Sequence, residues 1–319
     1  MSVICFAAME EFAGCIAACR HAASVLGGLW TVIPRKGALP PAVLQSDLLL
    51  LSSWDDRYEH ILEVRRGPVV PRFHAMIMET ELVHEESKLA RLVSLLDQGR
   101  IPGLAVTDPA YLPLLRRDGV VCLPDMLDEG EYRDVAPAPL LGVNVSLFGA
   151  AHLRKNLLAQ AAAFDCARHI SGAVRWTLHL NGQTRRHEPY RLWLAATGIP
   201  FVDHGRLDRA RYLALVAGMD AGLCASVYES YCYVAVDHIA TGVPVVASAG
   251  VRCLGDDVTR VAAHDVAEIA SALADAVARR EPVVARQRAS LLDHARRNRR
   301  AALAALAEIR VRAGLFRAE

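Results

Sequence analysis

Two short stretches carry residues whose types and spacing could do chemistry together. The first, VSLFGAAHLRKN from Val145 to Asn156, ends a β-like run at Gly149. It then places His152, Arg154 and Lys155 in a short turn before a helix expected to open near Lys155. Free N–H groups at a helix start, its positive dipole end and one added ammonium make an anion site. An ordinary strand-to-helix turn with a surface lysine would share that pattern, but the chain has only three lysines, at 36, 88 and 155. The second stretch, ASVYESYCYVAVD from Ala225 to Asp237, puts Glu229 at the end of a strand and loop and Asp237 eight residues on, within the next helix. That spacing separates the carboxylates by about 12 Å along the helix axis and roughly 80° around it. Such a span suits an elongated ligand: one carboxylate accepts from sugar hydroxyls, the other from a ribose, and a diphosphate lies between them at the helix N-terminus. Taken alone, an N-cap glutamate and a solvated aspartate would give the same spacing.

Several common chemistries lack their residues. There is no GxGxxG for a dinucleotide, no GxxxxGK[ST] for a nucleotide hydrolase and no GxSxG elbow. The eight cysteines include no CxxC pair and the twelve histidines no HExxH, so buried free thiols are expected and no metal site.

The elements that must position these residues alternate short β-like runs with longer helical ones, the pattern of parallel sheets flanked by helices. Strands are expected at 3–6, 29–33, 47–51, 69–73, 103–106 and 120–123, with helices over 9–26, 54–64 and 80–98 between them. The polar, Pro-containing stretch at 127–141 interrupts the pattern and reads as a linker. Alternation then restarts, with strands at 144–148, 175–180, 200–204, 221–225 and 243–247 and helices over 155–168, 189–197, 208–218, 231–241 and 267–279. The expected organisation is an N-terminal domain over 1–128, a linker over 129–142, a second domain over 143–280, and a helical tail over 281–319 that packs back on the first domain.

With 53% hydrophobic and 22% charged residues the chain is a globular protein. No apolar run approaches the length of a membrane span, and the N-terminus lacks a basic leader. A cytoplasmic protein is expected, with peripheral membrane association left open. From Arg279 onward eleven arginines face four acids, so the tail is strongly basic. A solvated helix face is the favoured reading of that charge, a contact with nucleic acid or anionic lipid the alternative.

In this order, the motifs of residues 143–280 resemble the donor-binding domain of the family 4 retaining glycosyltransferases of GT-B fold. That family shows a G-R-x-x-x-x-K-G turn, a PS-x-x-E-G-F-G segment within a Glu-x7-Glu motif, and a G-x-P-V-hydrophobic-A-S strand. Gly149 and Lys155 keep the first spacing; AS-VY-Glu229-SYC, Asp237 and GVPVVAS from Gly242 to Ser248 follow the others. The resemblance implies an α/β, GT-B protein, with two Rossmann-like domains whose parallel sheets face across a cleft. It also implies transfer of a sugar from a nucleoside diphosphate sugar to an acceptor hydroxyl, with retention and without a metal or other cofactor. Glu229 would orient the donor sugar and Asp237 the ribose. Lys155, Gly149 and the segment Ser230, Tyr231, Cys232 and Tyr233 would hold the diphosphate, and Gly205 and Arg206 would line the base pocket. Ala150 stands where the family has an arginine, and His152 or Arg154 could supply that charge. Ser230 and Cys232 replace glycines, and Ala8–Glu11 replaces a Gly-rich loop. His74, after the run VVPRF, resembles the family's cleft histidine; Glu10 and Glu11 would face the acceptor. The acceptor class stays open among glycan, small molecule, lipid-linked sugar, protein and nucleic acid, as does a homo-oligomer. A non-catalytic module binding a nucleotide sugar or a protein, and a sugar-nucleotide epimerase, are the alternatives.

Overall fold

A computed structural model describes residues 2–10, 13–52, 59–73, 79–172, 175–182, 187–229, 231–254 and 260–315. It divides into two units: residues 1–128 with 295–319, and residues 129–294.

The first unit runs β1 (Ile4–Met9), α1 (Ala13–Leu26), β2 (Leu29–Ile33), α2 (Pro41–Gln45), β3 (Leu48–Ser52), α3 (Glu59–Val64), β4 (Val69–Phe73), α4 (Glu79–Asp97), β5 (Leu104–Val106), α5 (Leu112–Leu115) and β6 (Val120–Cys122). The six strands are parallel in the order β2-β1-β3-β4-β5-β6. Successive strand residues point to opposite faces, and here both faces are covered, which is why β3 can read Leu48-Leu-Leu-Leu51 without a polar break. Leu49 and Leu51 pack in one core with Cys5, Ala7 and Leu92; Leu48 and Leu50 pack in another with Ile4, Phe6 and Ala22.

The second unit runs β7 (Val143–Ser146), α6 (Leu157–Ile170), β8 (Trp176–Leu180), α7 (Glu188–Ala196), β9 (Phe201–Asp203), α8 (Arg209–Ala217), β10 (Ala221–Cys224), α9 (Tyr233–Ala240), β11 (Val245–Ser248), β12 (Arg260–Val261) and α10 (Val266–Ala278). Its sheet is also parallel, in the order β12-β11-β10-β7-β8-β9. The α/β class expected from the sequence is therefore observed. Helix α11 (Arg280–Arg312) follows, and its second half lies in the first unit. There Ala302, Ala305, Leu306 and Ile309 fill the core around Ile4 and Phe6, and Arg312 pairs with Asp118 at 2.5 Å. The basic tail thus presents a buried apolar stripe.

The segment read as a linker belongs to the second unit. Glu129–Tyr132 forms a 3-10 turn, Tyr132 is buried, and both Glu131 and Tyr132 bond into that unit. All eight cysteines are free, but Cys166 is exposed on α6 and Cys15 and Cys122 are half-buried, so burial does not extend to every thiol. Among the described residues no helix is long and apolar enough to cross a membrane, and no group of His, Cys, Asp and Glu is arranged to hold a metal ion.

One face of the second sheet is polar where it is buried. Val145 and Leu147 point to the apolar core, so Asn144 and Ser146 point the other way. There His238 Nδ1 donates to the Val234 carbonyl at 2.6 Å, leaving Nε2 to accept from Ser146 Oγ at 2.5 Å. His179 Nε2 donates to Asn144 Oδ1 at 3.0 Å, and its Nδ1 accepts from His204 Nε2 at 2.9 Å with the rings stacked. Both acceptor nitrogens are satisfied only while the rings are neutral. Burial pushes His179 and His238 down from 6.5 to about 4. The unfolded chain takes up these protons below its ordinary histidine value and the folded chain does not, so stability falls as pH drops from 6.5 towards 4. The loss is about 3 kcal/mol per ring over that window. Urea melts at several pH values should show it, and His179→Gln should flatten the profile.

Candidate functional site

The residues singled out at Gly149–Lys155 and at Glu229 meet beyond the carboxyl ends of β7 and β10, the edge at which parallel α/β sheets place ligands. Local geometry explains how. Gly149 has φ +125°, a conformation that side-chain-bearing residues rarely adopt. Its N–H donates to Asn181 Oδ1 at 2.9 Å, and His187 bonds its carbonyl at 3.0 Å. The helix does not open at Lys155. Leu153–Lys155 is a 3-10 turn, Asn156 is left-handed at φ 54°, and α6 starts at Leu157. The His152 side chain caps that turn by accepting from the Arg154 N–H at 3.3 Å. The left-handed Asn156 breaks the helical register and leaves Lys155 free to reach sideways.

Lys155 reaches Glu229. The Glu229 carboxylate, 4% exposed, accepts from Lys155 Nζ and Ser226 Oγ (2.8 Å) on Oε1 and from Arg154 Nη1 (2.7 Å) on Oε2. The two loops are also joined through their backbones, Val227 N–H to the Arg154 carbonyl at 2.8 Å. Gly250 backs the Glu229 loop: a Cβ there would sit 2.3 Å from the Val227 oxygen, so only glycine fits. The Glu229 N–H donates to the Gly250 carbonyl at 2.9 Å.

Burial disfavours the Glu229 charge, yet Lys155 and then Arg154 hold its pKa below the ordinary value. Burial likewise opposes the Lys155 charge, and Cys232 and Glu229 outweigh it, so Lys155 is raised. Cys232 stands just before Tyr233, the first residue of α9, without a side-chain capping bond. A hydrogen bond from Cys224 lowers the Cys232 thiol against its burial, and Lys155 lowers it further. The result is a buried carboxylate with two cations over it, beside a helix N-terminus: one net positive charge poised for an anion.

Other expected residues are elsewhere or differently used. Gly205 is left-handed at φ 62° and donates to Asp203 Oδ1 at 2.9 Å; Arg206 is exposed. Both follow β9, which is separated from β10 by β7 and β8. Tyr231 and Tyr233 are tilted against each other at 4.8 Å, beside the start of α9. Glu10 accepts from the Arg35 N–H at 3.0 Å in the first unit. His74, Glu11 and Ser230 lie outside the described residues.

Asp237, expected at the ribose, is 2% exposed, and its carboxylate accepts hydrogen bonds from Arg209 and Tyr132. Sequence reasoning missed Ser226, Arg209, Glu131 and Tyr132. Ser226 lay within the quoted motif, three residues from Glu229. The others had no local signal, since Glu131 and Arg209 are 78 positions apart. A separate depression of about 710 Å³, lined by Arg168, Arg175, Trp176 and Phe201 among others, opens where β8 and β9 begin, the sheet end opposite Glu229.

No protein-family model matches the chain, and no curated protein matches it by sequence. Solved structures do. A trehalose-6-phosphate synthase, studied for glycosyl transfer with retention using bisubstrate glycomimetics, superposes with TM-score 0.69 at 13% identity, over 97% of this chain and 99% of that one. An E. coli trehalose-6-phosphate structure bound with UDP-2-fluoro glucose gives 0.67 at 12%, over 96% and 98%. Sucrose-phosphate synthase from Thermosynechococcus elongatus gives 0.64 at 16%, over 99% and 98%. What such likeness establishes is architecture: this chain has the GT-B fold shared by these glycosyltransferases.

Proposed function

We propose that the protein is a glycosyltransferase that moves a sugar from a nucleoside diphosphate sugar to an acceptor hydroxyl, with retention and without a metal. The bond from the anomeric carbon to the diphosphate oxygen breaks, a bond to the acceptor oxygen forms, and the acceptor's proton is released. The observation that supports this reading is the convergence of Lys155 and Arg154 on buried Glu229 beside the α9 N-terminus. As the glycosidic bond breaks, negative charge grows on the diphosphate. Fixed cations and a helix dipole meet that charge without reorganisation. Arg154 supplies the second cation that Ala150 does not. Glu229, fixed by Ser226 and the two cations, would orient the sugar hydroxyls.

The fold neighbours, one of them bound with UDP-2-fluoro glucose, favour a uridine diphosphate sugar as donor and a sugar or sugar phosphate as acceptor. A cytoplasmic location is part of the same proposal. The test is a thermal-shift series with nucleoside diphosphates and their sugars. A ligand at about a hundred times its dissociation constant stabilises by about 2.7 kcal/mol. Stabilisation by one base class is expected; no shift with any of them at millimolar concentration would remove the donor site.

A further inference from the structure

Asp237 follows Glu229 at the spacing that suits a ribose contact, but its surroundings are those of a fastened carboxylate. Its Oδ1 accepts from the Tyr132 hydroxyl at 2.8 Å and from Arg209 Nη2 at 2.7 Å, and its Oδ2 accepts from Arg209 Nη1 at 2.8 Å. Arg209 also donates to Glu131 from Nε at 3.2 Å and from Nη2 at 2.8 Å. Its guanidinium lies 5.9 Å and 5.5 Å from the ring centres of Tyr132 and Tyr212. The cluster therefore joins residues 131 and 132 to the first turn of α8 and the middle of α9. Burial, and then the Asp237 charge, hold both phenols well above their ordinary range, so Tyr132 stays a donor. A ribose hydroxyl reaching this carboxylate would enter a buried site in which three of its acceptor positions are filled, and would compete there with charge-assisted bonds.

Resting on the donor-site reading above, we propose that Asp237 is a fastening residue that does not read the ribose. The site would then admit 2′-deoxyribonucleoside diphosphates and their sugars alongside the ribo forms. A hydrogen bond from a ribose hydroxyl to a carboxylate contributes about tenfold or more in affinity, so its absence is measurable.

Calorimetric titration of the full-length protein with the diphosphates of uridine, guanosine, adenosine and cytidine, and with their 2′-deoxy counterparts, makes the test. For whichever base binds, the two dissociation constants are expected to agree within about twofold. Tyr132→Phe, which removes one bond of the cluster, should lower the melting temperature and leave that ratio unchanged. A deoxy form weaker by about tenfold or more, with the difference abolished in Asp237→Asn, would put the carboxylate on the ribose and overturn the inference. Binding of none of these ligands would end the donor-site reading, and this inference with it.

Discussion

Lys155→Ala is expected to cut turnover by about 10²–10³-fold, the loss that follows removal of one fixed donor aimed at developing negative charge. The measurement is release of nucleoside diphosphate from the donor, with calorimetric titration of the diphosphate alongside. Two effects add in this variant. The departing diphosphate loses a full charge, and among the described residues Glu229 keeps Arg154 and Ser226 as side-chain partners. Lys155→Arg separates them, since it retains the charge while changing the reach from the turn. Recovery of diphosphate affinity with poor turnover would show that placement matters as well as charge. Wild-type turnover in Lys155→Ala, at an unchanged melting temperature, would remove Lys155 from the mechanism.

The largest effect on stability is expected in the first unit. Arg72 on β4 and Asp125 form an ion pair at 2.9 Å with side-chain exposures of 1% and 2%. Arg72 Nε also donates to the Leu123 carbonyl at 3.0 Å. Removing one partner strands a charge in the interior, so Asp125→Ala should cost about 3–5 kcal/mol. A fall in melting temperature on the order of 10 °C is expected. Replacing both, as Arg72→Met with Asp125→Leu, should recover most of the loss, because an apolar pair of similar volume needs no compensation. A single variant as stable as the parent would mean that solvent reaches Arg72 once Asp125 is gone.

The strand and helix pattern was legible because it is a property of single segments. The strands at 29–33 and 69–73 lie where the sequence places them, since short runs rich in β-branched and aromatic residues suit an extended chain, although Leu29 and Trp30 of the edge strand β2 stay exposed. Gly149, Lys155 and Glu229 were legible for a related reason. Lysine is rare in this chain, with three in all, and both stretches follow strands that a parallel sheet ends at one edge. The helix start was misjudged by two residues because one left-handed residue, Asn156, overrides the helical preference of its neighbours.

Asp237 marks where that information ends. Its spacing from Glu229 is a local quantity, and the sequence fixes it. Its partners are Arg209, 28 positions away, and Tyr132, 105 away. The polar face of the second sheet is the same case, with Ser146 meeting His238 across 92 positions. A buried charge must be neutralised by whatever side chain packing brings to it, and that choice is made between segments when they assemble. The amino-acid sequence determined which segments form strands and helices and which residues stand at their ends. Only the tertiary structure decided that one acid, Glu229, stays with the cations of the site while the other, Asp237, is taken up in holding the second unit together.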